Sequence, residues 1–431
     1  MSETIQTVHP RVVLITKTAT QNQGNQALSI AWRDFLARRY PDANVRLVER
    51  APGYLKRYTV GELKRARDPV AAFDALARKL VARMPAAPAR DPSRWAVRHD
   101  HEQQQVLRFV RLRKALRLRS RVAALGLGEK DYLDRLAFIC TADLVVVNPA
   151  GEFQADATDT ALHYLLETRC AQLAGARTAF VNLSFELEDK MLVALSDHVF
   201  AQCDLVEFRD TESVDYLAEN GGRTRPIVLP DGAAMSAIER TGGTGGGGLA
   251  LAINALQVRT HGLTGQWDGI IDRLRTRHGI TLTSNEWSTD FPFWQKYLEL
   301  DGIECEGRTL PYDEYARHLA GFDAVVSSRL HTCVLGLIAG APIIPVETGT
   351  FKLTGFFNAI GMDGEPIRMG DGDWEARIEA RIEDVLADRD ATLKRQDECL
   401  FDARSRLVDG LTAAFPEIGG RGGAADRENY R

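Results

Sequence analysis

The chain is poor in cysteine and holds it in no pattern that performs chemistry. Six cysteines are spread over 431 residues, at 140, 170, 203, 305, 333 and 399, with no C-x-x-C pair and no metal-ligand spacing. They read as reduced thiols, which excludes a disulfide scaffold and a zinc module. Long apolar runs are also missing: none approaches the roughly 18 residues that cross a bilayer. The start, MSETIQTVHPRVVLIT, has no basic stretch followed by an apolar one, so a cytoplasmic location is expected. An excess of positive charge is absent as well, since 54 Lys and Arg face 59 Asp and Glu for a formal net charge of −5. That argues against a dedicated nucleic-acid binder. No internal repeat is evident.

What the chain does have is an alternation of short β-branched runs with longer amphipathic segments, the pattern of strands and crossover helices that builds parallel sheets. Strands are expected at 11–16, 44–49, 143–148, 178–184, 205–208 and 227–229, then at 249–254, 280–283, 323–327 and 342–346. Between the two series lies TGGTGGGGLA, whose glycines suit an interdomain connection. The expected architecture is therefore α/β, with two Rossmann-like doubly wound domains facing a cleft. Residues 1–240 form the first domain, 241–248 the glycine-rich linker and 249–415 the second domain with its closing helices, while 416–431 form a disordered tail. The first domain carries an arginine-rich helical insertion at about 51–137, densest in RFVRLRKALRLRSRV. The plainer expectation for it is a solvated helix paired with the acidic C-terminal segment. The other is contact with an anionic membrane surface, which would place the protein peripherally at the inner face of the membrane. The stretch lacks the interleaved aromatics that stack on bases.

Ligands of doubly wound folds bind outside the carboxyl ends of the strands, so the residues just after each strand are the candidates. In VVSSRLHTCV, Arg329 and His331 stand at a strand-to-helix turn, where a guanidinium fork, an imidazole and free backbone N–H groups favour an anion. The alternative there is an ion pair for Arg329 and a packed His331. After the first strand, Gly24 and Asn25 open a helix, with Asn25 as a suitable N-cap and the loop able to hold an anion or a sugar hydroxyl. LVVVNPAGEFQ presents Glu152, a base for an acceptor hydroxyl or a helix cap. Arg209 follows the strand in LVEFRDTESV, either for a ligand or for a local salt bridge. Asp231 in VLPDGAAM is a turn residue within reach of a ligand.

Taken in order, these residues resemble the polysaccharide pyruvyl transferase family: N-Q-G-N-Q-A near the start, R-D-x-x-S from Arg209, P-D at Pro230 and Asp231, S-R-L-H over Ser328, Arg329, Leu330 and His331, then G-x-P-I and Lys352. The likeness spans roughly residues 21–361 apart from the arginine-rich insertion. It implies a GT-B-like fold and transfer of the pyruvyl group of phosphoenolpyruvate onto two hydroxyls of a sugar or glycan as a cyclic ketal, the acceptor being lipid-linked or free. The donor is a substrate, so no separate cofactor is implied, and no ligand set for a divalent ion is seen. By position, Arg209, Arg329 and His331 serve the donor, with the two arginines clamping it from opposite domains and His331 delivering a proton. Family members commonly carry G-G-G where this chain has Pro149, Ala150 and Gly151, which limits close backbone approach there. Two other readings stay open from the sequence: nucleotide-sugar glycosyl transfer in the same kind of cleft, and a silent relative that binds glycan or phosphate without turnover.

Overall fold

The computed structural model describes residues 9–17, 22–50, 60–88, 129–154, 157–240, 245–306 and 310–418. Fourteen strands are described: β1 Arg11–Thr16, β2 Asn44–Glu49, β3 Leu144–Val147, β4 Phe153–Gln154, β5 Arg177–Leu183, β6 Phe185–Glu186, β7 Leu205–Phe208, β8 Ile227–Val228, β9 Leu249–Ala252, β10 Ile280–Leu282, β11 Ile303–Cys305, β12 Ala324–Ser327, β13 Ile343–Glu347 and β14 Ile367–Arg368. They form two six-stranded sheets, ordered β2-β1-β3-β5-β7-β8 and β11-β10-β9-β12-β13-β14. All pairs in both sheets are parallel. The central strands LVVV, LALA, AVVS and IIPVE are buried at every position. Helices cover both faces of such sheets, which is why these runs are continuous rather than alternating. A side ribbon of β4 and β6 turns Gln154 toward the crevice.

The halves are joined by apolar packing as well as by the linker. One core cluster runs from Val12, Trp32 and Phe35 in the first half through Tyr315, Val334 and Phe356 in the second. The last two helices, Trp374–Ala387 and Arg389–Ala414, are split at Asp388, whose side chain accepts from Ala391 N at 3.0 Å. The second of them leans on the short 3-10 turn Gly232–Met235 of the first half. Beyond it, the Phe415 ring meets Trp32 and Phe35, the Tyr40 hydroxyl donates to Pro416 O at 2.6 Å, and Arg177 donates to Glu417 O at 2.6 Å. Residues 416–418, expected to begin a free tail, are held against the first half by these contacts; 419–431 lie outside the described residues.

Of the insertion, helices Val60–Leu63 and Pro69–Arg83 and the start of Glu129–Cys140 are described, while its densest arginine run and any surface it makes lie outside the described residues. The acidic helix Trp374–Ala387 has other partners: Arg273 binds Glu375 and Glu379, and Arg277 binds Glu379 and Glu383. Among the described residues, no helix is long and apolar enough to cross a membrane.

Candidate functional site

The carboxyl ends of both sheets face each other across the seam, and the charged residues collect there. Arg209 follows β7 and is only 3% exposed. Its Nη1 donates to Asp231 Oδ2 at 2.7 Å and its Nε to Ser184 Oγ at 2.7 Å. Ser184 donates in turn to Asp210, which caps helix Thr211–Glu219 by accepting from Ser213 N at 2.7 Å. The hydrogen-bonded partner of Arg209 is thus Asp231, twenty-two residues on, while Asp210 in its own turn makes a looser ion pair at 4.0 Å from Nε. Nη2 makes no hydrogen bond to a described residue. A guanidinium this deeply buried costs desolvation unless its donors are used, so an unspent Nη2 facing the crevice is an open valence for an acceptor.

Asp231 is fully buried and caps the turn Gly232–Met235 through Ala233 N at 2.8 Å. Burial alone would raise its pKa, but Arg209 and His331 hold it below the usual carboxylate range. His331 Nε2 lies 3.9 Å from Asp231 Oδ2, too long for a hydrogen bond, and is buried without a partner. The His331 pKa is pushed down to about 4 by burial, then by Arg209, Lys352 and Lys17, against the opposing pull of Asp231. The imidazole is therefore neutral in the resting protein at pH 7.

The ring is wedged in place by the other domain. A Cβ on Gly24, in helix Gln23–Arg39, would lie 2.0 Å from His331 Cγ. Asn22, not Asn25, caps this helix, accepting from Gly24 N at 3.0 Å and Asn25 N at 3.3 Å; Asn25 is inside the first turn and buried. The expectation for Asn25 fails because two asparagines three residues apart suit a cap equally by type, and the extended backbone of Asn22 decides between them. Asn22 and Gln23 also dock the second domain: Asn285 Nδ2 donates to Asn22 Oδ1 at 3.1 Å, and Gln23 Nε2 donates to Leu310 O at 3.0 Å. The N-Q-G stretch is a domain-docking segment, a role its sequence alone did not announce.

Lys352 approaches Arg209 from the second domain. Its Nζ lies 3.2 Å, and Arg209 Nη2 3.6 Å, from where a Gly151 Cβ would be. The helix it opens, Lys352–Ala359, is held by Glu347, a buried carboxylate at the end of β13 that accepts from Leu353 N at 2.6 Å. Beside Gly151, Ala150 has φ 51°, a left-handed conformation that costs an L-residue roughly 1–2 kcal/mol. Such strain persists where the surroundings over-determine it.

Two other expected residues have their charges engaged. Glu152 is bound by Lys17 at 3.4 Å and by Arg50. The Lys17 pKa is lowered by burial and by Arg50. Arg329 caps nothing through its side chain; its Nε donates to Asp290 Oδ2 at 3.0 Å, its Nη1 to Glu286 Oε2 at 2.8 Å and its Nη2 to Asp290. Each guanidinium nitrogen of Arg329 therefore donates to a carboxylate, and its charge is engaged by Asp290 and Glu286. Leu330, at the start of helix Leu330–Ala339, packs against the shared core. Arg209, Asp231, His331, Gly24 and Lys352 do come together. Among the described residues, no cluster of His, Cys, Asp or Glu could hold a metal ion.

The polysaccharide pyruvyl transferase family model matches residues 22–350, three quarters of the chain, including Gly24, Arg209, Asp231 and His331. The chain belongs to the polysaccharide pyruvyl transferase family. It is accordingly a transferase of polysaccharide biosynthesis. No curated protein is matched. Among solved structures, an α,α-trehalose-phosphate synthase (UDP-forming) from Burkholderia vietnamiensis is similar at 12% identity and TM-score 0.51, over 95% of this chain and 98% of that one. A Methanocaldococcus jannaschii UDP-GlcNAc 2-epimerase in complex with UDP-GlcNAc and UDP shows 11% identity and TM-score 0.44 over 87% and 92% of the two chains. The S. aureus MnaA–UDP co-structure shows 11% and 0.48 over 96% and 100%. This pyruvyl transferase family member thus has the GT-B-like fold, two parallel-sheet domains around a cleft.

Proposed function

We propose that the protein transfers the pyruvyl group of phosphoenolpyruvate to two hydroxyls of a sugar or glycan, forming a cyclic ketal and releasing phosphate. The observation that carries this reading is the unspent Nη2 of the buried Arg209 beside the unspent Nε2 of His331, with Lys352 facing them from the other domain. A small polyanion is what such a set accepts: charge-assisted hydrogen bonds from Arg209 and Lys352 neutralise it where water is largely excluded.

The chemistry follows from the neutral resting state of His331. A bound anion offsets the burial and the neighbouring cations that depress its pKa, so His331 gains a proton as the donor arrives. That proton goes to the methylene carbon, and the adjacent carbon, now cationic in character, is attacked by the first acceptor hydroxyl. The hydroxyl proton restores the imidazolium or its equivalent in the cleft. Cleavage of the C–O bond to phosphate and attack by the second hydroxyl complete the ketal; of the two hydroxyl protons, one is balanced by the new methyl hydrogen and the other leaves on phosphate. General acid help of this kind is worth about 10²- to 10⁴-fold. Glu152, between Lys17 and Arg50, faces the same crevice and would orient the acceptor. Arg329 serves this scheme by fixing the turn that carries His331, with Asp290 and Glu286 as its partners.

The test is direct: incubate the protein with phosphoenolpyruvate and mixed glycan acceptors, follow phosphate release, and identify the ketal by mass spectrometry. Thermal stabilisation by phosphoenolpyruvate is expected. Stabilisation by nucleotide sugars alone, with no phosphate released from phosphoenolpyruvate, overturns the reading.

A further inference from the structure

The bare Cα of Gly151 faces three nitrogen donors that belong to different parts of the chain. From the place a side-chain Cβ would occupy, Gln154 Nε2 is 3.0 Å away, Lys352 Nζ 3.2 Å and Arg209 Nη2 3.6 Å. Gln154 comes from the side ribbon, Lys352 from the second domain and Arg209 from the end of β7. The Gln154 amide makes no hydrogen bond to a described residue, and Arg209, nearly fully buried, leaves Nη2 unused. Gln154 Nε2 and Arg209 Nη2 thus converge on one point without a described partner between them, and an acceptor from outside would satisfy both.

We infer that this space is the seat of one anionic oxygen of the donor, and that Gln154 is a substrate-binding residue which orients that oxygen between the two cations. The inference deepens the phosphoenolpyruvate reading and rests on it for the donor's identity, though the seat itself requires only an anion. Gln154 supplies direction without charge. It donates to an oxygen that Arg209 and Lys352 neutralise, whereas a carboxylate at this position would repel it. Gly151 contributes by absence: its φ is not in the left-handed region, so the backbone does not demand glycine. The open space does. The oxygen belongs either to the phosphoryl group or to the carboxylate of the donor, which share this chemistry.

Gly151→Ala separates occupancy from folding, because the backbone suits alanine and the new methyl contacts only the ends of flexible side chains at 3.0 Å or more. Binding of phosphoenolpyruvate, inorganic phosphate and pyruvate is measured by calorimetry for the wild type, Gly151→Ala, Gln154→Leu and Gln154→Glu, with thermal unfolding alongside. Gly151→Ala and Gln154→Leu should each weaken phosphoenolpyruvate binding by about tenfold, the loss expected when a hydrogen bond to a charged group goes. Gln154→Glu should weaken it further, and the unfolding midpoint should stay near wild type. If inorganic phosphate shows the same losses, the oxygen is phosphoryl; if pyruvate does, it is carboxylate. Wild-type binding of all three anions by both Gly151→Ala and Gln154→Leu overturns the inference, as does a wild-type protein that binds none of them. Phosphate binding that is sensitive to both substitutions, in a protein that neither binds nor consumes phosphoenolpyruvate, leaves the seat standing and removes the donor reading alone.

Discussion

Gly24 of the first domain and His331 of the second approach so closely that a single methyl on Gly24 would overlap the imidazole, with Cγ 2.0 Å and Nδ1 2.1 Å from the added carbon. The contact fixes the angle between the domains and the aim of the histidine at once. Gly24→Ala should therefore keep the fold but shift the seam. Overpacking costs about 1–3 kcal/mol, while alanine in a helix recovers up to about 1 kcal/mol over glycine. Denaturant unfolding should show a modest net loss and turnover a much larger one. Unchanged turnover would separate His331 geometry from activity.

The depressed pKa of His331 makes a stability prediction with a definite sign. Unfolded, the imidazole takes up a proton below its ordinary value of 6.5; folded, it resists until about 4. Between these values the unfolded state binds more protons, so stability falls as pH drops through that window. Two and a half pKa units correspond to about 3 kcal/mol at most from this one group. Urea midpoints measured from pH 7 to 4 should fall less steeply in His331→Gln than in the wild type. Parallel curves would contradict the assigned burial.

Glu207 works in the opposite direction. It is buried in β7, accepts from Asn182 N at 2.6 Å, and has its pKa raised from 4.5 to about 8, chiefly by desolvation. The folded state holds the proton while the unfolded state loses it, so this contribution is present below pH 4.5 and fades as pH rises through 8. Glu207→Gln keeps the acceptor without the charge. It should match the wild type near pH 4.5 and exceed it near pH 8 by an amount on the order of a few kcal/mol, read from the difference in unfolding free energies.

Arg329 should behave as a structural cation. Its side chain is 10% exposed and Asp290 beneath it is fully buried, so Arg329→Ala strands a carboxylate. Loss of one partner from a buried ion pair costs about 3–5 kcal/mol. A lowered thermal midpoint should accompany any loss of activity. In Arg209→Lys, by contrast, the charge facing Asp231 is kept and the fork is lost, so donor affinity should fall with little change in stability. A fully stable Arg329→Ala that has lost only donor binding would return Arg329 to the anion site.

The sheets were legible because their strands are continuous apolar runs: LVVV and IIPVE read as buried strands of a parallel sheet. Strands β4 and β6 have two residues each, β11 three and β14 two, too few for any period to register, and with β4 went Gln154. In the site, charged residues at strand ends could be picked out by position. Whether a given arginine is spent could not, since Asp290 and Asp231 are 39 and 22 residues from the guanidinium groups they bind. The same holds for His331: its neutrality comes from burial and from Arg209, Lys352 and Lys17, which only folding assembles around it.

The polypeptide leaves the first domain near Arg240 and, having built the second, comes back to it at Phe415. Two covalent crossings instead of one remove most relative movements of the lobes. Any opening of the crevice has to part Lys352 from Arg209 and Gly24 from His331 together, because both approaches span the two lobes.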